Sequence, residues 1–563
     1  MTGVLKPATL EIEDLNVWFE LGRNGGRSYE THVVKNLNLS LGAGERLGLV
    51  GESGSGKTTT ILAAMGLLPP SARVSGSVRL NGTDILANGD RSVAPHRWKD
   101  IAMVFQGAMN AFNPVKTVGW QIAEAMAVHG VARGRAARVQ VGELLELVGI
   151  PPDHATRFPH EFSGGMRQRA IIAMALSCRP KVLLADEPTT ALDVMVQDQV
   201  LKLLARLTEE LGLALILVTH DLGVVAETCH RAAVMLGGEV VEHGELRALY
   251  HDPKHEYTAR LFRATPSLDG NLRGASADSK DRPPEAPLLR IRDLRVDYAV
   301  PRSLGDIMLR RASRPKPAVR GISLEIAPGE MVALVGQSGC GKTTTVQTIL
   351  GMIRNSGGSI MLNGTEVTGL GIQQWHPLRR RVQMIYQDPY ESLDIRFRVR
   401  DTVTEPLRIH GIGRNLEERE ALAVQAMERV GLTPAGLYLD RYPHELSGGQ
   451  RQRVAIAASI VLEPELLLAD EPVSMLDVSV RTGILELLSQ LRRDARMGIL
   501  MITHDLSTAA NYADRIAVMH EGLIVEEGTA EDVIRRPQAS YTRALLASIP
   551  NPDPEARRSG AAA

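Results

Sequence analysis

The sequence is poor in cysteine, in aromatic residues and in long apolar runs, and each shortage excludes a class of protein. The 563 residues include only three cysteines, Cys178, Cys229 and Cys340, which are too far apart for a zinc or disulfide pattern. Such usage suits a reducing cytoplasm. No apolar run approaches the roughly 20 residues needed to cross a bilayer, and the N-terminus lacks signal-peptide character. We therefore expect any membrane role to come through partners.

Charge of either sign is also not in excess. With 64 basic and 65 acidic side chains, the formal net charge of −1 provides no basic footprint for nucleic acid. Hydrophobic residues make up 44% and charged residues 23%, as in soluble globular proteins. At this length, at least two domains are expected.

Two stretches match the phosphate-loop pattern G-x-x-x-x-G-K-[ST]: GESGSGKT at 51 to 58 and GQSGCGKT at 336 to 343. Each follows a short apolar run and precedes helix-compatible residues, which is the strand–loop–helix context that the motif needs. Their glycines let successive backbone N–H groups surround a phosphate at a helix N-terminus. Lys57 and Lys342 are predicted to reach the β- and γ-phosphates, and Thr58 and Thr343 to hold Mg²⁺.

The chain is an internal duplication. The second phosphate-loop lysine lies 285 residues after the first (342 − 57), and the Ser-Gly-Gly and Thr-His-Asp stretches repeat at an offset of 284 (447 − 163, 504 − 220). Residues 266–287 lack periodicity and are rich in Pro, Gly, Ser and Asp, which predicts a linker. We predict domains at 9–265 and 288–550, a polar surface insertion at 303–316 and a flexible tail at 551–563.

Each copy alternates short apolar runs with helical stretches, which predicts an α/β fold with buried parallel strands. A mainly helical segment of roughly one hundred residues, about Gln106 to Arg179 in copy one, is predicted to be an inserted helical subdomain. An acidic pair ends one apolar run in each copy, Asp186-Glu187 and Asp470-Glu471. Beside a phosphate loop, the aspartate can hold Mg²⁺ through water and the glutamate can orient or deprotonate the attacking water.

These motifs together resemble the nucleotide-binding subunits of ATP-binding-cassette (ABC) transporters. Walker A lies at 51 to 58 and 336 to 343, and Walker B ends at Asp186 and Asp470. The signatures read FSGGM and LSGGQ, and the switch histidines are His220 and His504. The resemblance implies two tandem P-loop domains, each with a mixed or parallel sheet core, an antiparallel β subdomain and an inserted helical subdomain.

The resemblance also implies site residues. It assigns catalysis to Glu187, His220, Glu471 and His504, and Mg²⁺ binding to Thr58, Gln106, Asp186, Thr343, Gln387 and Asp470. It assigns ATP binding to Phe19, Gly51, Ser53, Gly54, Ser55, Gly56, Lys57, Thr58, Thr59, Gln106, Ser163, Gly164, Gly165, Asp186 and Asp193 in copy one. In copy two it assigns ATP binding to Tyr298, Gly336, Ser338, Gly339, Cys340, Gly341, Lys342, Thr343, Thr344, Gln387, Ser447, Gly448, Gly449, Gln450, Asp470 and Asp477.

More narrowly, the chain looks like the oligopeptide/dipeptide importer branch with both ATPase subunits fused. The stretches RYPHELSGGQRQR (441 to 453), HDPKHEYTARLFRATPS (251 to 267) and RRPQASYTRALLASIP (535 to 550) carry this resemblance. Oligosaccharide, glutathione or nickel-chelate import stays open as an alternative, and so does a soluble twin-cassette ATPase acting on ribosomes or DNA. The Pro-rich linker and the lack of zinc cysteine pairs speak against those soluble relatives.

In this family ATP is sandwiched between one copy's phosphate loop and the other copy's signature, which implies two composite sites. Met166 and Met475 depart from the usual motif residues, so unequal sites are expected, although both are predicted to hydrolyse ATP. Cys340 is expected to be structural; the alternative is a partly exposed thiol that alkylation would block. Neither copy ends in a cysteine cluster, so no iron–sulfur centre is predicted.

The implied partners are two membrane permease subunits and, indirectly, an extracytoplasmic binding protein. Grooves near 107–125 and 388–407 would each receive a permease helix, with Phe112, Trp120 and Ile122 as candidate contacts in copy one or else as subdomain core. The expected location is the cytoplasmic face of the membrane, with peripheral attachment. No nucleic-acid partner is expected.

Overall fold

The protein is described by a computed structural model that covers residues 8–24, 27–105, 107, 111–190, 192–265, 285–299, 315–388, 392–474 and 476–555. It contains two compact units: unit 1 comprises Met1–Thr265 and Pro550–Ala563, and unit 2 comprises Pro266–Ile549. Most of the predicted linker and of the predicted insertion lies outside the described residues. The boundaries given above for the two domains stay a prediction.

Unit 1 has two sheets in its described residues. A four-stranded antiparallel sheet has the order β2-β1-β4-β5, and a six-stranded sheet has the order β10-β9-β3-β8-β7-β6, parallel except for β10. The strands are β1 Ala8–Asn24, β2 Arg27–Gly42, β3 Arg46–Val50, β4 Ala72–Leu80, β5 Thr83–Asp84, β6 Ile101–Val104, β7 Val182–Asp186, β8 Ala214–Thr219, β9 Arg231–Leu236 and β10 Glu239–Glu245.

The helices of unit 1 lie mostly between strands of the six-stranded sheet. They are α1 Lys57–Ala64, α2 Asp90–Val93, α3 Val118–Val128, α4 Gly134–Leu147, α5 Gly164–Ala175, α6 Val194–Leu211, α7 Leu222–Thr228, α8 Leu246–His251 and α9 Glu256–Ala264, with 3₁₀ turns at Pro152–Thr156 and Pro159–Glu161. Helices α3, α4 and α5 form the predicted helical insertion between the phosphate loop and β7.

Strand β7 shows why the six-stranded sheet has a core on both faces. Leu184 packs with β1 and β2 residues of the antiparallel sheet, while its neighbour Leu183 packs with the helices on the opposite face. Successive side chains of a strand point to opposite faces, so a strand covered on both sides must be apolar throughout. This is why β7 reads VLLAD without polar alternation.

Unit 2 repeats this architecture. Its sheets have the orders β12-β11-β14-β15 and β16-β17-β18-β13-β19-β20. The strands are β11 Leu289–Tyr298, β12 Lys316–Ile326, β13 Met331–Val335, β14 Gly357–Leu362, β15 Thr365–Glu366, β16 Val382–Ile385, β17 Leu466–Asp470, β18 Gly498–Thr503, β19 Arg515–His520 and β20 Leu523–Thr529.

Its helices repeat the pattern of unit 1 as well. They are α10 Lys342–Ile349, α11 Ile372–Arg379, α12 Val399–Ile409, α13 Leu416–Arg429, α14 Gly448–Ile460, α15 Val478–Ala495, α16 Leu506–Tyr512, α17 Ala530–Arg535 and α18 Ser540–Ala547, with 3₁₀ turns at Ala435–Leu437 and Pro443–Glu445. The predicted fold class, with its parallel core, antiparallel subdomain and helical insertion, is confirmed.

The parallel register brings the chemistry-bearing segments to one edge of each sheet. Val50 pairs with Thr219, and Asp186 pairs with Val218, so β3, β7 and β8 end side by side. The phosphate loop, the acidic pair and the switch histidine follow those three strand ends. Ligands of open α/β sheets bind at this carboxyl edge.

The described start of the predicted tail, residues 551–555, has specific contacts. Asn551–Glu555 belong to unit 1, where Pro552 and Pro554 are buried. The Asn551 N–H donates to the Glu227 carboxylate over 3.3 Å. Residues 556–563 lie outside the described part. None of the described helices is both long and apolar enough to span a membrane.

Candidate ATP sites

Each phosphate loop encloses its lysine. The Lys57 ammonium donates to the carbonyl oxygens of Gly51 and Glu52 over 2.7 and 2.8 Å, and Lys342 makes the matching bonds to Gly336 and Gln337 over 2.6 and 2.8 Å. Both lysines are only 6% exposed. A buried cation at the mouth of a loop of backbone N–H groups is a site for phosphate oxygens.

The loop conformation needs glycine where it enters the helix. Gly56, the N-cap of α1, has φ 101°, and a Cβ there would lie 2.9 Å from the Val33 carbonyl oxygen. Gly341 repeats this in unit 2 with φ 112°. The predicted loop residues follow one pattern in both units. Buried positions are Gly51, Ser55, Gly56, Gly336, Cys340 and Gly341, and exposed positions are Ser53, Gly54, Thr58, Ser338, Gly339 and Thr343.

A threonine hydroxyl and an aspartate carboxylate meet beside each loop. Thr58 donates to Asp186 over 3.2 Å, and Thr343 donates to Asp470 over 3.3 Å. Burial raises the pKa of Asp186 to about 6 against the hydrogen bond from Thr58. Burial and the charge of Glu471 raise the pKa of Asp470 to about 6. Both carboxylates ionise near neutral pH and can then attract a cation.

In each unit, the glutamate that follows this aspartate pairs with the switch histidine. Glu187 lies 2.9 Å from His220 Nδ1, and Glu471 lies 3.2 Å from His504 Nδ1. The two glutamates adopt left-handed backbone conformations, with φ 42° and 44°. Such values are uncommon outside glycine and are typical of residues held for function.

The environment keeps both glutamates ionised. Burial acts to raise the pKa of Glu187, but hydrogen bonds from His220 and Thr190 and the charge of Lys57 lower it to about 2. Burial likewise opposes a lowered pKa at Glu471, yet bonds from His504 and Gln387 keep it below its ordinary value. An ionised glutamate beside an oriented histidine can hold a water and accept its proton.

The predicted glutamine is placed only in unit 2. Gln387 Nε2 donates to Glu471 over 2.9 Å, which joins it to the acidic pair. Gln106, its counterpart in unit 1, lies outside the described residues, as does Met475.

Each signature serine caps a helix. The Ser163 hydroxyl accepts the Met166 N–H at the start of α5, and the Ser447 hydroxyl accepts the Gln450 N–H at the start of α14, both over 3.3 Å. Gln450 also accepts the Ser447 N–H over 3.0 Å, which completes a capping box. Met166 has no side-chain oxygen that could accept the Ser163 N–H.

The glycines behind these serines have different neighbours. A Cβ at Gly165 would lie 2.3 Å from Val196 Cγ1, and one at Gly449 would lie 2.6 Å from Val480 Cγ1. At Gly164 and Gly448 the closest atom would be an ordinary contact at 3.7 and 3.6 Å. The second glycine of each signature therefore allows close helix packing. At the first glycine, packing leaves room for a side chain.

Phe19 and Tyr298, the two aromatic residues predicted to bind ATP, have unlike surroundings. Phe19 is partly buried and packs against the apolar core beneath the antiparallel sheet. Tyr298 is 43% exposed, and its hydroxyl lies 3.2 Å from Thr344 Oγ1, just behind the phosphate loop. Thr59 and Thr344 are half-buried. Tyr298 thus offers an open ring beside its loop, as stacking requires.

Asp193 and Asp477, both predicted to bind ATP, stand at helix starts. Asp193 caps α6 by accepting the Val196 N–H over 3.1 Å. Asp477 is the N-cap residue of α15. Their predicted part in ATP binding stays a prediction.

Burial decides between the alternatives that the sequence left open at two places. Phe112 and Ile122, named as groove contacts, are core residues at 5% and 0% exposure, while Trp120 is 46% exposed. Cys340 is buried at 6% exposure, and that burial raises the pKa of its thiol despite the nearby Lys342. The alternative of a partly exposed, reactive thiol is therefore wrong.

Sequence reasoning missed two groups that touch these sites. Thr190 donates to Glu187 over 2.8 Å, and the hydroxyls of Tyr257 and Tyr541 contact the phosphate loops. The signal for the tyrosines was a Tyr-Thr pair repeated at an offset of 284 (541 − 257). Among the described residues, no cluster of three or more His, Cys, Asp or Glu is placed to hold a metal.

Comparison with known families identifies the family of this chain. Residues 34–190 and 319–474 match the family described as ABC transporter. The chain belongs to the ABC transporter family. Residues 241–288 and 525–563 match the family described as oligopeptide/dipeptide transporter, C-terminal region. The predicted membership in the fused importer branch is confirmed, and with it an ATPase coupled to transport that acts with membrane permeases.

Curated relatives share nearly the whole length. The chain is 42% identical to a glutathione import ATP-binding protein, GsiA, of Escherichia coli O157:H7, over 98% of this chain and 90% of the relative. The GsiA protein of Shigella dysenteriae serotype 1 shows the same identity and coverage. Among solved structures, cbiO1 from Clostridium perfringens, part of the ABC transporter complex cbiONQ, is 27% identical over 45% of this chain and 92% of its own, with a TM-score of 0.39.

Proposed function

We propose that this chain is the complete ATP-hydrolysing motor of a peptide importer, in which two composite ATP sites form from its two fused cassettes. The observation that carries the proposal is the duplication of one full constellation. Each cassette has an enclosed lysine, a threonine–aspartate pair and a glutamate–histidine pair at one sheet edge. Each also has a serine-capped helix whose N-terminal N–H groups suit a second phosphate contact.

Each composite site would combine the sheet edge of one cassette with the signature of the other. Site one would consist of Lys57, Gln106, Asp186, Glu187, His220, Ser447, Gly448 and Gly449. Site two would consist of Lys342, Gln387, Asp470, Glu471, His504, Ser163, Gly164 and Gly165. The lysine and the helix N-terminus would hold phosphate oxygens, and the ionised glutamate would position the attacking water.

The donor set also fits a magnesium ion. A hydroxyl and a carboxylate in hydrogen-bond contact, Thr58 with Asp186 and Thr343 with Asp470, provide oxygen ligands of the kind that Mg²⁺ takes while keeping several waters. Mg²⁺ bound there would offset negative charge on the β- and γ-phosphates. Gln106 and Gln387 are the further proposed ligands.

Pairs of substitutions test the composite arrangement. Lys57→Ala with Gly448→Asp removes two parts of site one, so one ATP site per chain should remain. Lys57→Ala with Gly164→Asp damages both sites, so ATP binding should be lost. Equilibrium dialysis with ATP measures the stoichiometry. The opposite ranking of the two double variants would mean that each signature serves its own cassette, and the proposal would be wrong.

The proposed partners are two permease subunits bound at the exposed aromatics that lie on either side of each glutamine in the sequence. Phe105 and Trp120 in unit 1, and Tyr386 and Phe397 in unit 2, are 42 to 46% exposed. Exposed aromatics suit a helix-in-groove contact, which would place the chain peripherally at the cytoplasmic face of the membrane. Trp120→Ala should weaken co-purification with the permease, whereas Leu523→Ala, on β20 at 40% exposure, should not.

We infer that the transported solute is a small peptide, with a glutathione-like tripeptide as one candidate. The support is the peptide-transporter C-terminal region in both cassettes together with the glutathione import name of the relatives. Mass spectrometry of the ligand carried by the extracytoplasmic binding protein tests this. A sugar or a metal chelate would overturn it.

A further inference from the structure

A tyrosine from the C-terminal helix of each cassette touches the phosphate loop. The Glu52 N–H donates to the Tyr257 hydroxyl over 3.0 Å, and the Gln337 N–H donates to the Tyr541 hydroxyl over 3.2 Å. Glu52 and Gln337 are the second residues of their loops. The same contact therefore occurs twice, at equivalent positions of the two cassettes.

The tyrosine contact and the lysine contact involve the same residue of the phosphate loop. The carbonyl oxygen of Glu52 accepts a bond from the Lys57 ammonium, and the N–H of the same residue donates to Tyr257. Glu52 therefore links the tyrosine to the lysine. In unit 2 the carbonyl of Gln337 accepts from Lys342 in the same way. Fixing this residue limits where the lysine and the first loop N–H groups can point.

The helices that carry these tyrosines are themselves held by a glutamate. Glu242 on β10 accepts the N–H groups of Lys254 and His255 over 2.8 and 3.1 Å, just before α9. Glu526 on β20 accepts those of Gln538 and Ala539 over 2.7 and 3.0 Å, just before α18.

Glutamate and tyrosine keep one spacing, 15 residues in each unit (257 − 242, 541 − 526). Both pairs lie within the segments that match the oligopeptide/dipeptide transporter C-terminal region. The strand glutamate, the helix and the tyrosine therefore form one unit of structure that recurs with this region.

We infer that Tyr257 and Tyr541 are positioning residues of the two ATP sites, through which the C-terminal region of each cassette holds its phosphate loop in the ATP-binding conformation. The inference rests on the proposed assignment of Lys57 and Lys342 to those sites. The C-terminal region of each cassette would then contribute to ATP binding.

The phenylalanine variant isolates the hydroxyl. Tyr257→Phe keeps the ring, which is 2% exposed and packs in the core, and removes the hydroxyl that accepts the Glu52 N–H. Leaving a partly buried donor without its partner weakens the arrangement that it stabilises. We expect the affinity of site one for ATP to fall about tenfold, with kcat changed less than about twofold, because the hydroxyl does not touch the reacting phosphate.

The measurement uses the full chain with Lys342→Ala, so that only site one reports. Titration with a fluorescent ATP analogue gives the affinity, and thermal unfolding without nucleotide gives the stability. Tyr438→Phe is the matched control, since that ring lies in the helical subdomain against Arg441. Tyr541→Phe with Lys57→Ala repeats the test in unit 2 and serves if Tyr257→Phe does not fold.

The outcomes are distinct. Weaker ATP binding with an unchanged melting temperature supports the inference. Unchanged ATP affinity overturns it, and a lower melting temperature with unchanged affinity assigns the tyrosine to packing alone. If Lys57→Ala in the Lys342→Ala chain still binds ATP normally, the site assignment itself fails, independently of the tyrosine.

Discussion

At the residue scale, the described residues of the two cassettes share the proposed catalytic groups and differ in the cap of the signature helix. Glu187 accepts bonds from His220 and Thr190, and Glu471 accepts bonds from His504 and Gln387. Ser447 has a reciprocal bond with the Gln450 side chain that Met166 cannot make with Ser163, because methionine has no side-chain oxygen. This difference leaves the proposed catalytic groups of both cassettes in place.

We therefore expect both Glu187 and Glu471 to contribute to ATP turnover. Glu187→Gln or Glu471→Gln should each lower steady-state ATP turnover by at least about half, since a general base contributes about 10² to 10⁴ at its own site. ATP binding should persist, because the amide keeps the shape. Phosphate release measures turnover. If either variant turns over at the wild-type rate, that site does not contribute.

The raised pKa of Asp186 predicts a stability change that depends on pH. Its folded-state value of about 6 lies above the ordinary aspartate range, so ionisation costs stability as pH rises from about 4 to 6. Asp186→Asn never ionises and keeps an oxygen for Thr58. In the absence of Mg²⁺ and nucleotide, it should stabilise unit 1 by about 2 kcal/mol at pH 8 and have little effect near pH 4.

Thermal unfolding at both pH values checks this. The control is Asp252→Asn, whose carboxylate is exposed. A gain at Asp186 that is equal at both pH values would contradict the burial argument.

At the element scale, the signature helix depends on one close contact with its neighbour. Helix α5 approaches α6 where Gly165 faces Val196, and α14 approaches α15 where Gly449 faces Val480. The β-branched valines cannot rotate freely away within a helix. The sequence motif Ser-Gly-Gly therefore serves two purposes, capping and close packing.

Gly165→Ala should destabilise unit 1 by about 1 to 3 kcal/mol, since its Cβ would lie 2.3 Å from Val196 Cγ1. Gly164→Ala should be neutral or slightly stabilising, because space is available and alanine favours a helix by about 1 kcal/mol. Thermal unfolding without nucleotide measures both. Equal melting temperatures for the two variants would show that the helices separate at little cost.

At the scale of the whole molecule, residues 550–555 are part of unit 1, although they follow unit 2 in the sequence. Pro550 lies against Gly223 of α7, Asn551 donates to Glu227, and Glu555 lies 3.6 Å from His251 of α8. Helix α7 begins two residues after the switch histidine His220. The last described residues therefore cover a surface next to the segment of the predicted switch histidine.

Removing residues 551–563 should expose that surface, since Pro552 and Pro554 are buried there. We expect faster amide hydrogen exchange in α7 and α8 and no change in α16, the equivalent helix of unit 2. Removing only residues 556–563 should have no such effect. Unchanged exchange in α7 after the longer truncation would mean that the contacts do not stabilise it.

The sequence by itself determined the duplication, the order of the motifs and the α/β class, because phosphate loops, apolar runs and capping residues are local patterns. Lys57 and Asp186 could be assigned from their places after short apolar runs, since parallel strands end at one edge, whereas the role of His220 came from the family resemblance. The identity of the family followed from the same local motifs.

The tertiary structure decided what no local pattern contains. Burial separated Trp120 from Phe112 and Ile122, and it enclosed the thiol of Cys340. Long-range contacts placed Tyr257 on a loop 205 residues earlier in the chain and brought Asn551 to Glu227. Hydrophobic packing and backbone hydrogen bonds between distant segments depend on the folded chain as a whole, so residue spacing alone could not show them.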